Sequence, residues 1–322
     1  MKSLALLSIA ALALSAQQPQ IENAQVTKRA SSGALAAQFT QLGSGPFWVG
    51  YSEPIAPNRH NTMCGSNQST DAPLRLEGQT AIVILARFTA GQMDELRITS
   101  PDCRLDAGGL PFFWFDNVPA TESIAWLKTK VSPTKPDSAI MAISMHTGPA
   151  ADAALQELTA PSQPDRIREK AAFWIGNSRG GQGVQTLNRM LASDPSEKVR
   201  EQVVFALSQS KDPSAMESVI KTARSDNDPK IRSKALFWLA QKAANRQAVD
   251  TIRASVNSDP ERSVKEQAVF ALSQLKNNEG ISALIDVAKN HADPAVRKKA
   301  MFWLGQSNDA RAIDFFAQVL KQ

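Results

Sequence analysis

The sequence predicts a helical-repeat solenoid preceded by a small α+β domain, and three observations lead to this fold class. An aliphatic residue followed directly by Arg or Lys, with Phe six positions after the aliphatic residue, occurs five times in the C-terminal half. Pro-containing turns separate these segments, and the N-terminal half instead carries β-branched and aromatic runs that are typical of strands. Self-similarity at a period of about 30 residues indicates a repeat protein. The repeated segments begin at Ile167, Val199, Ile231, Val264 and Val296.

Each repeat is expected to contain two helices. The first follows a turn in which Asp caps the helix and Pro takes the first helical position, because Asp accepts unpaired backbone N–H groups and Pro has none to lose. Apolar residues at offsets 0, +4, +7 and +8 from the aliphatic residue would fall on one helix face. A second, weaker amphipathic segment follows in each repeat and closes the pair. Asp–Pro turns occur at 194–195, 228–229, 259–260 and 293–294, and Gln163–Pro164 replaces them in the first full repeat.

The number of repeats follows from the spacing of the Phe residues. They lie at 173, 205, 237, 270 and 302, at intervals of 32, 32, 33 and 32 residues. One more step back reaches Met141 in a similar apolar segment, so about six two-helix units are expected over residues 137–322. The Ala and aliphatic content, the Val199–Arg200 type of pair and the Asp–Pro turns resemble the HEAT-repeat family, particularly its short phycobilisome-lyase-like form. The resemblance covers about half of the chain and implies a fold, not an activity.

A second period runs through the repeats. Offset +7 alternates between a large and a small residue, and offset +3 alternates between Lys and Gln. If neighbouring helices stack in register, a Trp in one layer faces an Ala in the next, which would fill the core evenly. The Trp residues are therefore expected to be core residues. The residues at offset +7 are Trp174, Ala206, Trp238, Ala271 and Trp303.

The Phe at offset +6 shares its side of the helix with an amide at offset +10, and two interpretations remain open. Each Phe wedges between units while the amides satisfy carbonyl groups at helix ends. Alternatively, the aromatic and amide side chains line the concave surface and bind an extended peptide or protein segment. The candidate partner-binding residues are Phe205, Gln209, Phe237, Gln241, Phe270 and Gln274.

The N-terminus has the form of an export signal. Lys2 precedes an apolar run that ends in Leu14–Ser15–Ala16, so residues 1–16 are expected to be removed after Ala16. We expect an exported protein, periplasmic or extracellular, without membrane insertion after cleavage. In an oxidising compartment Cys64 and Cys103 are expected to form a disulfide, with two buried free thiols as the alternative.

The segment between the signal and the repeats predicts a small α+β domain. The sequence indicates a hairpin over residues 80–98, further strands at 47–51 and 112–115, and a helix over 120–130. Residues 21–30 are expected to form another strand and residues 32–42 another helix. The polar segment 54–71 is a candidate functional loop. The expected boundaries are 17–131 for this domain, 132–136 for a linker and 137–322 for the solenoid.

Composition and motifs exclude several functions. The net charge is +5, with 25 basic and 18 acidic residues in 162–322, but the two signs are interleaved, so nucleic-acid binding is not expected. The histidines His60, His146 and His291 are too scattered for a metal site, and none is followed by Glu as in the iron-holding pairs of the HEAT-repeat enzyme deoxyhypusine hydroxylase. The Gly-x-Ser-x-Gly pattern around Ser178 ends a repeat helix rather than a strand. Asp102, Asp106 and Asp116 are expected to be turn residues rather than a calcium loop.

These observations favour a non-enzymatic scaffold that binds a protein or peptide on the concave face of the solenoid. No cofactor and no metal are expected. Three alternatives remain open. The first is an enzyme whose active site lies in the N-terminal domain, built on Asp or His60, and the second is a lyase-like activity by analogy of fold alone. The third is a mainly structural role in an envelope assembly.

Overall fold

The computed structural model describes residues 18–55, 64, 80–242, 246–276 and 279–321. The expected signal 1–16, most of the candidate loop 54–71 and His60 lie outside the described residues. The chain divides into two compact units. The first contains Met1–Val131 and Lys135–Ala154, and the second contains Ser132–Thr134 and Leu155–Gln322. The division thus groups residues 137–154, the larger part of the first predicted helical repeat, with the N-terminal unit. The boundary at 132–136 stays a prediction.

The N-terminal unit is built on a five-stranded mixed sheet, which agrees with the predicted small α+β domain. The strand order is β2-β7-β3-β4-β5, and β1 and β6 form a separate two-stranded parallel ribbon. The predicted hairpin is confirmed as β4 and β5, in which Ile84 faces Ile98. The elements are β1 Gln20–Glu22, β2 Val26–Ala30, α1 Leu35–Thr40, β3 Phe47–Pro54, β4 Ala81–Thr89, β5 Gln92–Thr99, β6 Arg104–Asp106, β7 Phe112–Asp116, α2 Ala120–Lys128 and α3 Asp137–Met145.

Both faces of the central strands β3, β4 and β7 are largely buried. On one face Phe39 of α1 makes edge-to-face contacts with Phe115 of β7 and with Trp126 of α2, each at a ring distance of 5.2 Å. On the other face Phe112 and Trp114 of β7 belong to an apolar cluster that the β1–β6 ribbon covers. This arrangement explains why β3, β4 and β7 read as nearly continuous apolar runs.

The predicted disulfide between Cys64 and Cys103 is present, with a Cα–Cα distance of 5.5 Å. It joins Cys64 to the turn that follows β5 and spans 39 residues of sequence. No free cysteine remains, because the sequence contains only these two.

The rest of the chain forms consecutive helix pairs, which confirms the solenoid. With α3 and α4 counted as the first pair, six pairs succeed one another along the described chain. We call α5, α7, α9, α11 and α13 the first helices and their partners the second helices. The bounds are α4 Pro149–Leu158, α5 Asp165–Ser178, α6 Gly180–Ser193, α7 Glu197–Gln209, α8 Pro213–Ser225, α9 Pro229–Lys242, α10 Arg246–Ser258, α11 Arg262–Ser273, α12 Ile281–Asn290, α13 Pro294–Gly305 and α14 Ala310–Val319.

Arg and Asp side chains connect successive repeats, a role that was not predicted from the sequence. Arg168 of α5 donates from Nε and Nη2 to the two carboxylate oxygens of Asp194, at 2.8 and 2.9 Å. Arg200 of α7 donates to Asp228 at 2.9 Å. Asp194 also accepts from the backbone N–H of Ser196, so one carboxylate holds the turn before α7 and pairs with the preceding repeat. The expected Asp cap is absent here, because α7 begins at Glu197 and Ser196 is its N-cap residue. These Arg–Asp pairs could have been predicted from the sequence, because an Arg at offset +1 recurs together with the Asp of the Asp–Pro turn.

The first helices approach one another closely where small residues meet. A methyl group on Gly176, at offset +9 of α5, would lie 2.8 Å from the carbonyl oxygen of Ala206 in α7. Ala206 and Ala271 are completely buried. The small residues at offsets +7 and +9 therefore set the spacing of these helices. A helix with the length and apolar character needed to span a bilayer does not occur in the described part of the chain.

Candidate functional site

A continuous row of aromatic rings runs along the first helices. Phe173 stacks on Phe205 at 5.8 Å, Phe205 contacts Trp238 at 4.7 Å, and the contacts continue through α9, α11 and α13. Phe237 stacks on Phe270 at 6.4 Å, and Phe270 contacts Trp303 at 4.9 Å. The aromatic ladder, as we name it, consists of Phe173, Trp174, Phe205, Phe237, Trp238, Phe270, Phe302 and Trp303.

The geometry of the ladder alternates with the sequence. Phe173 and Phe205 are nearly parallel, at 12°, and so are Phe237 and Phe270, at 8°. The intervening contacts are made by Trp at tilts of 41° and 47°. The alternation of Trp and Ala at offset +7 in the sequence therefore appears in the structure as an alternation of parallel Phe–Phe and tilted Phe–Trp contacts.

The Trp residues differ from the expected core residues. Trp174, Trp238 and Trp303 are half-buried and contact the ladder Phe residues, whereas Ala206 at the same offset is fully buried. The close approach at Gly176 and Ala206 leaves no space for a ring between α5 and α7, so the indole of Trp174 lies beside Phe173 instead. The large side chains of this period thus extend the ladder.

The ladder combines contacts between repeats with partial exposure. Phe173, Phe205, Phe237 and Phe270 are half-buried, and Phe302 is 54% exposed. The indole nitrogens of Trp238 and Trp303 are enclosed and have no hydrogen-bond partner among the described residues. The ladder thus has features of both interpretations of the Phe residues. The rings pack between neighbouring repeats, and they also remain partly exposed to solvent.

The amides at offset +10 lie at the C-terminal ends of the first helices. Gln209 donates to Ser208 Oγ at 3.0 Å, and Ser208 in turn donates to the carbonyl of Phe205. Gln274 repeats this arrangement with Ser273 and Phe270. Gln241 and Gln274 are exposed and Gln209 is half-buried. The structure thus places all six candidate residues on the first helices or at their ends, and their role in partner binding stays a prediction.

Charged side chains near the middle of the ladder are paired with one another. Lys234 of α9 lies 2.9 Å from Glu201 of α7, and Lys230 lies 3.0 Å from Glu197 on the same two helices. These pairs neutralise the lysines locally. The central ladder is therefore an apolar and amide surface rather than a basic one.

The second helices carry a different kind of opening. A cleft of about 590 Å³ lies at α6 and α8 and is lined by Arg200, Asp226 and Asp228, among others. Asp228 is paired with Arg200 and Asp226 accepts from the backbone N–H of Asp228, so these charges serve the fold. No converging set of uncommitted polar groups occurs in this cleft among the lining residues.

The N-terminal unit contains a buried polar cluster of four side chains from β3, α2 and the end of α3. His146 Nδ1 lies 2.8 Å from the carbonyl of Ala142 and must donate to it, so in the neutral imidazole Nε2 accepts from Ser123 Oγ at 2.9 Å. Tyr51 then donates to Ser123 at 2.9 Å. The carboxylate oxygen Oε2 of Glu53 lies 3.8 Å from His146 Nε2, and within the described part of the chain its Oε1 has no hydrogen-bond partner.

Burial controls the chemistry of this cluster. It raises the pKa of Glu53 to about 8, and it raises the pKa of the Tyr51 phenol above its usual range. Ser123 and His146 are in hydrogen-bonding contact, but their exposed fractions are 0% and 1%, so a substrate cannot reach them in this state. The cluster therefore has the composition of a catalytic site without its access. The one indication of this cluster in the sequence was the presence of Glu53 within an otherwise apolar strand.

The remaining candidate residues are the aspartates considered for a calcium loop, the potential metal ligands and Ser178. Asp106 accepts from the backbone N–H of Gly108 and from Asn23, and Asp116 accepts from Trp114 Nε1. The one grouping of potential metal ligands in the described residues contains Cys64, Cys103 and Asp102, but both sulfurs belong to the disulfide. Ser178 lies at the end of α5 and just before α6, a helix–helix turn rather than a nucleophile elbow.

Three solved structures illustrate what the chain is similar to. A chain of human deoxyhypusine hydroxylase in complex with glycerol is 18% identical, with 63% of this chain and 80% of that chain covered and a TM-score of 0.32. A chain of the CpcE–CpcF complex of phycocyanin lyase from Nostoc sp. PCC7120 is 21% identical, with 52% and 96% covered and a TM-score of 0.34. A chain of the Kap95p–RanGDP structure is 13% identical, with 61% and 33% covered and a TM-score of 0.37.

Comparison with protein families gives the more direct result. HEAT repeats match residues 151–235 and 216–290, and the PBS lyase HEAT-like repeat matches residues 296–322. No curated protein matches the chain significantly, and no family matches the predicted N-terminal domain, residues 17–131. The matched repeats contain the whole aromatic ladder and cover more than half of the sequence. This chain is a member of the HEAT-repeat family.

Proposed function

We propose that this HEAT-repeat chain is an exported, non-enzymatic scaffold that binds an extended segment of a protein or peptide along its aromatic ladder. The observation that carries the proposal is the series of ring contacts from Phe173 to Phe302 in which the rings stay partly exposed. A surface repeated in this way suits a ligand that crosses several repeats in succession.

The chemistry of the ladder favours apolar and aromatic side chains in the partner. Half-buried rings that are already ordered lose little conformational entropy on binding, and aromatic residues are frequent binding hot spots. The exposed amides of Gln241 and Gln274 lie where they could pair with the backbone of an extended segment. Because Lys234 is neutralised by Glu201, the partner needs no acidic character at this point.

Export is the second part of the proposal. The Cys64–Cys103 disulfide supports it, since such bonds persist mainly in oxidising compartments. The signal-like residues 1–16 support it independently. Cell fractionation tests this part: the mature protein is expected outside the cytoplasm and to begin after Ala16, and a cytoplasmic protein that retains residues 1–16 would contradict it.

Selection from a displayed peptide library tests the binding function. We expect the purified mature protein to enrich peptides that share spaced apolar or aromatic residues, and we expect their binding to fall when ladder residues are changed. Variants Phe205→Ala and Phe270→Ala test the ladder, and Phe316→Ala, which changes a half-buried Phe on the second helix α14, is the matched control. Enrichment of peptides that bind all three variants equally would contradict the proposal.

A further inference from the structure

The turn before each of the helices α7, α9, α11 and α13 contains a side chain that accepts from a backbone N–H two residues further along. At offset −5 this side chain is Asp in the repeats of α7, α9 and α11, and each carboxylate accepts at 2.9 Å. In the repeat of α13 the same position is occupied by His instead of Asp. The four residues at this offset are Asp194, Asp226, Asp259 and His291.

The imidazole of His291 replaces the carboxylate with two directed contacts. Its Nδ1 lies 3.1 Å from the backbone nitrogen of Asp293 and accepts that N–H, as the Asp oxygens do in the other repeats. Its Nε2 lies 3.1 Å from the carbonyl oxygen of Val256 on α10. Because Nδ1 accepts, the proton of the neutral ring lies on Nε2, which donates to Val256. The ring thus connects the end of α12 to the end of α10, the second helix of the preceding repeat.

The carbonyl of Val256 needs a donor from outside its own helix. It lies in the last turn of α10, where a helical carbonyl would accept from the residue four positions later. That residue is Pro260, which has no backbone N–H. His291 therefore supplies the donor that α10 lacks at this point.

A proton on Nδ1 would change this turn and leave its three counterparts as they are. A protonated imidazole has two N–H donors and no acceptor, so the N–H of Asp293 would lose its partner while Nε2 could still donate to Val256. Histidine side chains ordinarily gain this proton as the pH falls from about 8 to 5, whereas aspartate side chains stay ionised over that range. The turn before α13 is thus the acid-sensitive member of the series.

The charged groups that α11 and α13 bring to this turn do not replace the lost contact. Asp293 already accepts with Oδ1 from the backbone N–H of Ala295 at 2.9 Å and with Oδ2 from Arg262 of α11 at 2.7 Å. These two donors lower the pKa of Asp293, so its carboxylate stays ionised. Arg297 of α13 adds positive charge and donates to the carbonyl of His291 at 2.7 Å. Both carboxylate oxygens are therefore engaged, and two guanidinium groups oppose a further positive charge.

The contacts from α10 and α12 do not favour the protonated ring either. The contact from α10 is the uncharged carbonyl of Val256. On α12, Asp286 accepts from Asn290 at 2.7 Å, and the ammonium group of Lys289 lies over the ring of Phe315 at 5.6 Å. Protonation is thus expected to break the contact between Nδ1 and the backbone without forming an equivalent one.

We propose that His291 is a proton-sensitive joint between α10, α12 and α13. The neutral ring holds the turn before α13, and protonation at Nδ1 releases the N–H of Asp293 and loosens the start of that helix. This inference goes beyond partner binding, because it rests on the geometry of this turn alone. Since α13 carries Phe302 and Trp303, the joint connects the surrounding pH to the last part of the aromatic ladder.

Nuclear magnetic resonance of the purified mature protein tests the joint. At about pH 7.5 the imidazole nitrogen shifts of His291 should place the proton on Nε2 and none on Nδ1. Between about pH 7.5 and 5, solvent exchange of the Asp293 amide, corrected for its intrinsic pH dependence, should rise at least tenfold. The amides of Ser196, Asp228 and Glu261 are the internal controls, because each is bonded to Asp at the same offset, and they should change less than about twofold.

His291→Asn provides a version of the turn that does not titrate. Its amide oxygen can accept the N–H of Asp293 at every pH, so exchange of this amide should be equal at the two pH values, and circular dichroism should show a folded chain. The wild-type measurement decides the matter even if this variant does not fold, because its controls lie in the same molecule.

Four results would overturn the proposal. The first is a proton on Nδ1 at about pH 7.5, and the second is a ring that stays neutral down to about pH 5. The third is a ring that titrates while exchange of the Asp293 amide is unchanged. The fourth is an equal rise at all four amides, which would indicate a general loosening of the solenoid in acid.

Discussion

Arg232 and Asp259 form a buried, two-pronged ion pair between consecutive repeats. Nε and Nη2 of Arg232 donate to the two carboxylate oxygens at 2.8 and 2.9 Å, and the side chains are 8% and 5% exposed. Asp259 also accepts from the backbone N–H of Glu261 at the start of the next first helix. One carboxylate thus both holds the turn before α11 and connects two repeats.

Removal of this carboxylate is expected to destabilise the solenoid. Asp259→Ala leaves the Arg232 guanidinium buried without its partner, so the free energy of unfolding should fall by about 3 to 5 kcal/mol. Glu197→Ala is the matched control, because its partner Lys230 is exposed, and its effect should stay below about 1 kcal/mol. Urea unfolding of both variants measures the difference, and equal effects would contradict the structural role of the Arg–Asp pairs.

The close approach of α5 and α7 predicts that Gly→Ala changes stability differently at two equivalent positions of the repeats. Gly176→Ala places a methyl group 2.8 Å from the carbonyl oxygen of Ala206, and this overpacking should cost about 1 to 3 kcal/mol. Gly305→Ala, at the same offset in α13, meets only Phe316 at 4.0 Å and should be neutral or slightly stabilising. Ala206→Trp should likewise lower the melting temperature. Thermal melts decide the matter, and a stable Gly176→Ala would show that the helices are further apart.

The buried carboxyl of Glu53 predicts a pH dependence of stability. Its pKa is raised by burial from about 4.5 in the unfolded chain to about 8 in the fold, so the folded state holds the proton more tightly. The stabilising effect is therefore complete below pH 4.5 and is lost as the pH rises towards 8. Over that interval the free energy of unfolding should fall by up to about 4 to 5 kcal/mol from this group.

Substitution of Glu53 isolates this effect. Glu53→Gln stays neutral at every pH and should remove most of the decline between about pH 5 and 8, as urea titrations at several pH values will measure. Glu217→Gln, on an exposed position of α8, is the control and should keep the wild-type slope. An identical slope in wild type and Glu53→Gln would show that the carboxyl is ionised in the fold.

The repeat half could be predicted because its period fixes both elements and register. Offsets 0 and +4 placed Val199 and Val203 in the core, and the aromatic recurrence located every first helix. The position of the indoles was not predictable from helix periodicity alone, because it depends on how closely α5 and α7 approach. Once Gly176 and Ala206 set that distance, the Trp174 ring lies beside Phe173 rather than between helices.

The N-terminal unit shows where local pattern is insufficient. The hairpin of β4 and β5 was predictable from alternation and from the Gly91 turn, where φ is positive at 73°. The strand order and the parallel pairing of β2 with β7 involve residues far apart in sequence, so no local signal specifies them. The contact between Ser123 and His146 has the same origin, since it requires α2 and α3 to meet.

The central claim, that the aromatic ladder binds a partner, is tested most directly on Phe237. This ring is half-buried between Trp238 and Phe270, so Phe237→Ala should remove ligand contacts while most of the inter-repeat core remains. Melting and binding of a selected peptide are measured in parallel, with Phe316→Ala as control. We predict a melting temperature within a few degrees of wild type and binding weakened at least tenfold, about 1.4 kcal/mol. Unchanged binding, or a loss of stability of about 3 to 5 kcal/mol as for a core aromatic, would contradict the account.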